Sequence, residues 1–210
     1  MKTGKSSNSM TGSIIAIDAD GVLLDYNTAY RSAWEKAFGE SPILTDVNAY
    51  WAFDRWGVRW LDGMELSKFQ AVFDEEFWST IPALPNAVKA CEDLHAAGYQ
   101  LVCVSAIESC FESARIQNIQ DQGFPIERVI CTAKDANNKS PKADALNLLR
   151  PVAFVDDFLP YFRGIPNDIH SALVLREPNG SPNVGDDLSL INSQHSDLAS
   201  FALWWLEKHC

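Results

Sequence analysis

Long apolar runs are missing from this chain, and so is any excess of positive charge. No stretch approaches the roughly 20 consecutive apolar residues that a membrane-spanning helix needs, so no such span is expected. Lys and Arg number 17 against 28 Asp and Glu, a net charge of -11. Polyanion binding needs a positive field, so this deficit argues against a broad nucleic-acid or acidic-membrane surface. Basic residues inside a cleft are still allowed. Cysteine is sparse and unpatterned: Cys91, Cys103, Cys110, Cys131 and Cys210 form no Cys-x-x-Cys pair. Their odd number, without a framework spacing, predicts reduced thiols in a cytoplasmic protein. Cys103 and Cys131 fall in predicted strands and read as core packing. A zinc site needs convergent Cys and His ligands, whereas His95, His170, His195 and His209 are scattered. Residues 1–12 are rich in Ser, Thr, Lys, Gly and Asn, with no apolar signal-peptide core, and read as a disordered tail. Neither an internal repeat nor a low-complexity linker follows.

What is present is an ordinary globular composition, 47% hydrophobic over 210 residues. That is enough for one good-sized domain, or a core with a small insertion. The stretch from Ser13 to Asp25 organises the rest. Ile14, Ile15 and Ile17 belong to a continuous apolar run that reads as a strand buried on both faces, and it stops at Asp18 and Asp20, two carboxylates flanking Ala19. Carboxylates at the carboxyl end of a buried strand sit where open α/β sheets bind ligands, and Gly21 allows a sharp exit. A plain turn remains open on these residues alone, since Asp and Gly are ordinary turn formers.

Beyond this strand, Asn27 is placed to cap a helix with Tyr30, Ala33, Trp34, Ala37 and Phe38 on one face and Gly39 past its end. No strand is predicted from there to about Thr80. The segment carries Trp34, Tyr50, Trp51, Phe53, Trp56, Trp60, Phe69, Phe73, Phe77 and Trp78, suited to the core of a small helical bundle. Strands are then predicted at Tyr99 to Val104, Arg128 to Thr132, Val152 to Val155 and Ala172 to Leu175. Helices are predicted at Asn86 to Ala97, Glu108 to Gln122, Ser140 to Leu149 and Asp197 to Lys208. Strands alternating with helices imply a parallel sheet covered on both sides.

Polar residues end the apolar runs in a particular order. Asp18-x-Asp20-Gly21-Val22 is followed by Ser105 after Leu101 to Val104, then Lys139-Ser140-Pro141-Lys142, then Asp156-Asp157 after Val152 to Val155. These four segments resemble the motifs of the haloacid dehalogenase-like (HAD) hydrolase superfamily, from residue 13 to the C-terminus. The resemblance implies an α/β fold with a Rossmann-like parallel sheet flanked by helices, 13–26 and 81–210, and a helical cap of the first type at 27–80. It also implies a Mg²⁺-dependent phosphatase acting on a small phosphorylated metabolite through an aspartyl-phosphate.

Asp18 would be the nucleophile and Asp20 the general acid and base. Mg²⁺ would be held by Asp18, Asp157 and the backbone carbonyl of Asp20, with Asp156 contacting it through water or from behind. Ser105 and the amide of Ala106 would bind phosphoryl oxygens. The third motif departs from the more usual Lys-Pro. Helix geometry favours Lys142 as its lysine, with Lys139 the other candidate and Lys134 a poorer one. Arg55 and Arg59 in the insertion are candidate anion contacts, although such residues often serve as surface ion pairs. Other readings stay open: a 2-haloacid dehalogenase, against which Asp20 argues; a phosphoglucomutase-like or phosphonate-cleaving enzyme, the latter needing a cap lysine such as Lys68; and a silent binding protein. A monomer or homodimer is expected.

Overall fold

The structure is a computed structural model that describes residues 12–132 and 139–209. The predicted N-terminal tail, except Gly12, and Lys134 lie outside the described residues. In chain order the elements are β1 (Ile14–Ile17), α1 (Tyr26–Phe38), α2 (Ala52–Arg55), α3 (Gly63–Gln70), α4 (Glu75–Ser79), α5 (Ala87–Ala96), β2 (Gln100–Ser105), α6 (Glu112–Asp121), β3 (Arg128–Cys131), α7 (Ala143–Leu149), β4 (Ala153–Asp156), β5 (His170–Val174), β6 (Ser193–His195) and α8 (Leu198–His209).

The strands form one six-stranded sheet in the order β3-β2-β1-β4-β5-β6. Every pairing is parallel. The chain runs outward from β1 through β2 to β3, then returns to the other side of β1 for β4, β5 and β6. That reversal opens a crevice at the carboxyl ends of β1 and β4, and the acidic residues occupy it.

Period-2 alternation explains how both faces are covered. Ile15 and Ile17 of β1, Cys103 of β2 and Val155 of β4 pack with Cys91 and Leu94 of α5 and Phe201 and Trp205 of α8. Ala16, Val102, Val104, Phe154 and Leu173 point the other way, onto Leu146 of α7 and onto Leu159 and Phe162. The predicted parallel sheet flanked by helices is thus the observed one. Between β1 and β2 the described regular structure is helical, as expected, and its aromatics form a connected cluster. Phe69 lies 5.3 Å from Trp34 and 5.1 Å from Tyr30, and Phe77 lies 4.5 Å from Phe73 and 4.9 Å from Trp78, ring centre to ring centre.

Local boundaries differ from expectation where a side chain competes. The cap of α1 is Asp25, whose carboxylate accepts the Thr28 amide at 3.0 Å, and Asn27 lies inside the helix. The segment predicted as one helix from Glu108 begins as a tight 3₁₀ turn, Ser109–Phe111, before α6. Helix α7 starts at Ala143 rather than Ser140, with the Ser140 hydroxyl accepting the Lys142 amide at 3.2 Å. Strand β6 was not anticipated. Its residues Ser193, Gln194 and His195 include no aliphatic side chain, so hydrophobic periodicity has nothing to register.

Candidate active site

Asp18 leaves the end of β1 with its amide bonded to the Val155 carbonyl at 2.9 Å, which locks it beside the acidic pair of β4. Asp18, Asp156 and Asp157 are all buried, and one carboxylate oxygen from each lies within 4.8 Å of the others. Lys142 reaches this cluster from the turn before α7. It is wholly buried, and its ammonium bonds to Asp18 Oδ1 and, at 2.6 Å, to Asp156 Oδ2. The second Asp156 oxygen accepts the Phe158 amide at 2.9 Å, so both oxygens of that residue have partners within the chain. Lys139, three residues earlier, is exposed.

Burial raises the Asp18 carboxyl well above its usual range. Lys142 opposes the shift, while Asp156, Asp157 and Asp20 reinforce it. Asp156 is pushed up to about 6, again by burial against the pull of Lys142. For Lys142, burial works against the charge, but Asp156 and Asp18 outweigh it and hold the ammonium above its ordinary value. We read the lysine as charged, because the carboxylates beside it outweigh the cost of its burial. An all-oxygen, anionic set of this kind fits a hard divalent cation.

Asp157 is held differently. Its Oδ2 accepts Arg176 Nε at 2.6 Å and the Tyr50 hydroxyl at 3.2 Å, and its carbonyl accepts Asn183 Nδ2 at 2.7 Å. Gly21 makes this possible. A Cβ there would lie 2.5 Å from Asp157 Oδ2 and 2.9 Å from Arg176 Nε, and its φ of +92° is one that side-chain-bearing residues rarely adopt. Tyr50 is brought in by the loop between α1 and α2, whose backbone bonds to Asn179 at 2.9 Å on either side of Ala49.

Asp20 faces a third cation. Nη2 of Arg115, a wholly buried side chain on α6, donates to both Asp20 oxygens at 3.0 and 2.8 Å. Ser105 ends β2 with a buried hydroxyl that has no hydrogen-bond partner among the described residues.

A cavity of about 350 Å³ is lined by Asp18, Asp20, Tyr50, Trp78, Asp157 and Arg176, among others that include Ala106. It adjoins a larger space of about 800 Å³ walled by Phe73, Phe111 and Glu108, the two sharing Trp78, Ala106 and Ile107. The larger space holds none of the acidic cluster, whereas Asp18 and Asp157 line the smaller one.

The structure therefore brings Asp18, Asp20, Lys142, Asp156, Asp157 and Ala106 together, with Ser105 at the adjoining strand end. It does not bring in Arg55 or Arg59. Arg55 pairs with Glu177 at 3.2 Å, and Arg59 pairs with Glu40 at 2.6 Å and Glu65 at 2.9 Å; neither lines the cavity. Lys68 also lies outside it, over the Phe38 ring at 5.5 Å. Burial pushes the Cys103 thiol up to about 12, in keeping with a packing role.

Sequence reasoning missed Arg115, Arg176 and Tyr50. Arg176 follows the apolar run of β5 just as the acids follow β1 and β4. Arg115 is the cation on the face of α6 that carries Ala114, Asn118 and Ile119, and both signals could have been read. Tyr50 carried no local signal.

Comparison with known proteins supplies the family. No curated protein matches the chain. Among solved structures, it is similar to a HAD family hydrolase from Deinococcus radiodurans R1 with bound phosphate and sodium, at 13% identity and a TM-score of 0.57, covering 93% of this chain and 96% of that one. A protein described as a predicted phosphoglycolate phosphatase from Haemophilus somnus 129pt shares 14% identity at a TM-score of 0.57, with 92% and 98% covered. The L-2-haloacid dehalogenase from Xanthobacter autotrophicus with chloropropionic acid covalently bound shares 12% at 0.54, with 93% and 99% covered. At these identities the likeness establishes the fold. The model of the family described as 5' nucleotidase, deoxy (pyrimidine), cytosolic type C protein (NT5C) matches residues 12–136, more than half of the sequence. The chain therefore belongs to the NT5C family, a HAD-like nucleotidase family, and is a hydrolase of the HAD type.

Proposed function

We propose that this chain is a Mg²⁺-dependent phosphomonoesterase that hydrolyses a small phosphorylated metabolite of the nucleoside monophosphate class through an aspartyl-phosphate. The observation that carries this reading is Asp18: a buried carboxylate at the end of the central strand, in contact with Lys142 and grouped with Asp156 and Asp157. Nucleotide chemistry is supported by the name of the matching family and by the aromatic walls of the adjoining space, Phe73, Trp78 and Phe111, which suit a planar ring.

Asp18 attacks phosphorus, forming a new P–O bond to its carboxylate as the bond to the leaving oxygen breaks. Asp20 gives its proton to that oxygen. The resulting Asp20 carboxylate then takes a proton from water, the hydroxide attacks the phosphorylated Asp18, and phosphate departs with the nucleophile restored. Lys142 balances the charge of Asp18 throughout, and the Ser105 hydroxyl and Ala106 amide donate to phosphoryl oxygens. Asp18, the Asp157 oxygen not engaged by Arg176 and the Asp20 carbonyl would hold Mg²⁺. Asp156, whose oxygens are already taken, would support it indirectly. When bound, the ion neutralises the phosphoryl oxygens so that one anion can approach another.

The helical insertion 27–80 acts as the cap that selects the substrate, and the protein works as a monomer or homodimer in the cytoplasm. Among the described residues, no helix is long and apolar enough to cross a membrane. The test is a screen of nucleoside monophosphates and other phosphorylated metabolites with Mg²⁺ and with excess chelator, a 2-haloacid serving as control. Mg²⁺-dependent release of phosphate, strongest on nucleotides, is expected. Turnover undiminished by chelator, or halide release without phosphatase activity, would refute it.

A further inference from the structure

Arg115 belongs to none of the four motif segments, yet its side chain is wholly buried and its ion-pair partner is Asp20. A buried guanidinium is a poor device for stability alone. Its desolvation consumes most of what the ion pair returns, and Nε and Nη1 have no hydrogen-bond partner among the described residues. The geometry suggests what the residue achieves. A single nitrogen, Nη2, spans both Asp20 oxygens, fixing the carboxylate from one side while other lone pairs stay available towards the cavity that Asp20 lines. The guanidinium lies 5.2 Å from the ring centre of Trp78, which walls both cavities. One turn along α6, Asn118 donates to the carbonyls of Ser79 at 3.1 Å and Ile81 at 2.8 Å, pinning the helix to the end of the helical insertion. Arg115 is thereby anchored to both the floor and the wall of the cavity.

We propose that Arg115 is a positioning residue for Asp20, holding its carboxylate where it exchanges a proton with the leaving oxygen and then with water. This inference rests on the acid and base role given to Asp20 above. The test is a double-mutant cycle in the full chain, comparing wild type, R115Q, D20N and R115Q/D20N. It reads single-turnover release of the leaving alcohol from an alkyl phosphate and from p-nitrophenyl phosphate, whose leaving group needs little protonation.

R115Q is expected to slow the alkyl substrate roughly 10- to 100-fold, a part of the usual worth of general acid–base catalysis, and the aryl substrate much less. In the D20N background the same substitution should change either rate by no more than about twofold, because the two residues act as one unit. R115K, which keeps the charge, should recover part of the loss. It also carries the cycle, with the same expectation, if R115Q does not fold. Losses from R115Q and D20N that multiply, or equal slowing of both substrates by R115Q, would overturn the positioning role alone. A D20N enzyme as fast as wild type on both substrates would remove the role of Asp20 and this inference with it.

Discussion

Replacing Lys142 with Met tests the charge balance on which the acidic cluster depends. Met keeps an unbranched, apolar stem in the same channel, so packing changes little and the loss is mainly that of the ammonium. Lys142 is wholly buried and contacts both Asp18 and Asp156, whose side chains are 8% and 0% exposed. Removing one partner of a buried ion pair costs about 3–5 kcal/mol, because the partner left behind is a desolvated charge. Here two carboxylates are left, with a third, Asp157, close by. For a domain of this size 1 kcal/mol moves Tm by about 2–4 °C, so K142M should melt roughly 6–20 °C below wild type. Lys139→Met, at an exposed position, should stay within about 0.5 kcal/mol of wild type. Scanning calorimetry with and without Mg²⁺ gives the second half of the test. A cation binding among carboxylates that have lost their lysine should raise the Tm of K142M more than that of wild type. A K142M protein that melts within about 2 °C of wild type would refute the claim that Lys142 neutralises the cluster.

Gly21→Ala forces a Cβ to 2.5 Å from Asp157 Oδ2 at a φ of +92°. Backbone strain of about 1–2 kcal/mol and overpacking of about 1–3 kcal/mol should add to a loss of about 2–5 kcal/mol in denaturant melts. Gly123→Ala, where a Cβ would meet nothing within 4 Å at a φ of +83°, should show the strain alone. Asp157→Asn should weaken Mg²⁺ binding in titration calorimetry far more than Asp156→Asn; the reverse order would mean that the acidic pair is assigned backwards. Burial, with His195, His209 and Lys208 nearby, pushes His170 down to about 4 from an ordinary 6.5. The unfolded chain then takes the proton first. The contribution of neutral His170 to stability is complete above about pH 6.5 and is lost as pH falls towards 4. The denaturant midpoint of His170→Gln should consequently fall less than that of wild type between pH 7.5 and 5, and parallel slopes would contradict this.

The sheet and its acids were legible because burial on both faces leaves a strong mark: an apolar run cut off by carboxylates at Asp18 and again at Asp156. Lys142 was legible from its place in the turn entering α7. Strand β6 was hidden because it is held by pairing with β5 and by His195 packing on Trp204 of α8 rather than by hydrophobicity of its own. Partner choice among charges was equally hidden. Arg55 and Arg59 resemble Arg115 and Arg176 in type, but among the described residues the acids that Arg55 and Arg59 meet are Glu177, Glu40 and Glu65, whereas Asp20 engages Arg115 and Asp157 engages Arg176, which also touches Glu177 at 3.1 Å. The pairings of Arg115 with Asp20 and of Arg55 with Glu177 join residues far apart in sequence, and the packing of α6 and the exit from β5 decide them.

Phosphorylation of Asp18 is the step on which the proposed reaction depends, and Asp20→Asn makes it visible. With p-nitrophenyl phosphate the leaving group departs without help, so attack continues while the water step slows by about 10²- to 10⁴-fold. Acid-quenched enzyme digested and weighed by mass spectrometry should carry one phosphoryl group on the peptide containing Asp18, labile to hydroxylamine and absent in Asp18→Asn. A phosphoryl group on Ser105, or turnover by Asp18→Asn at the wild-type rate, would contradict it.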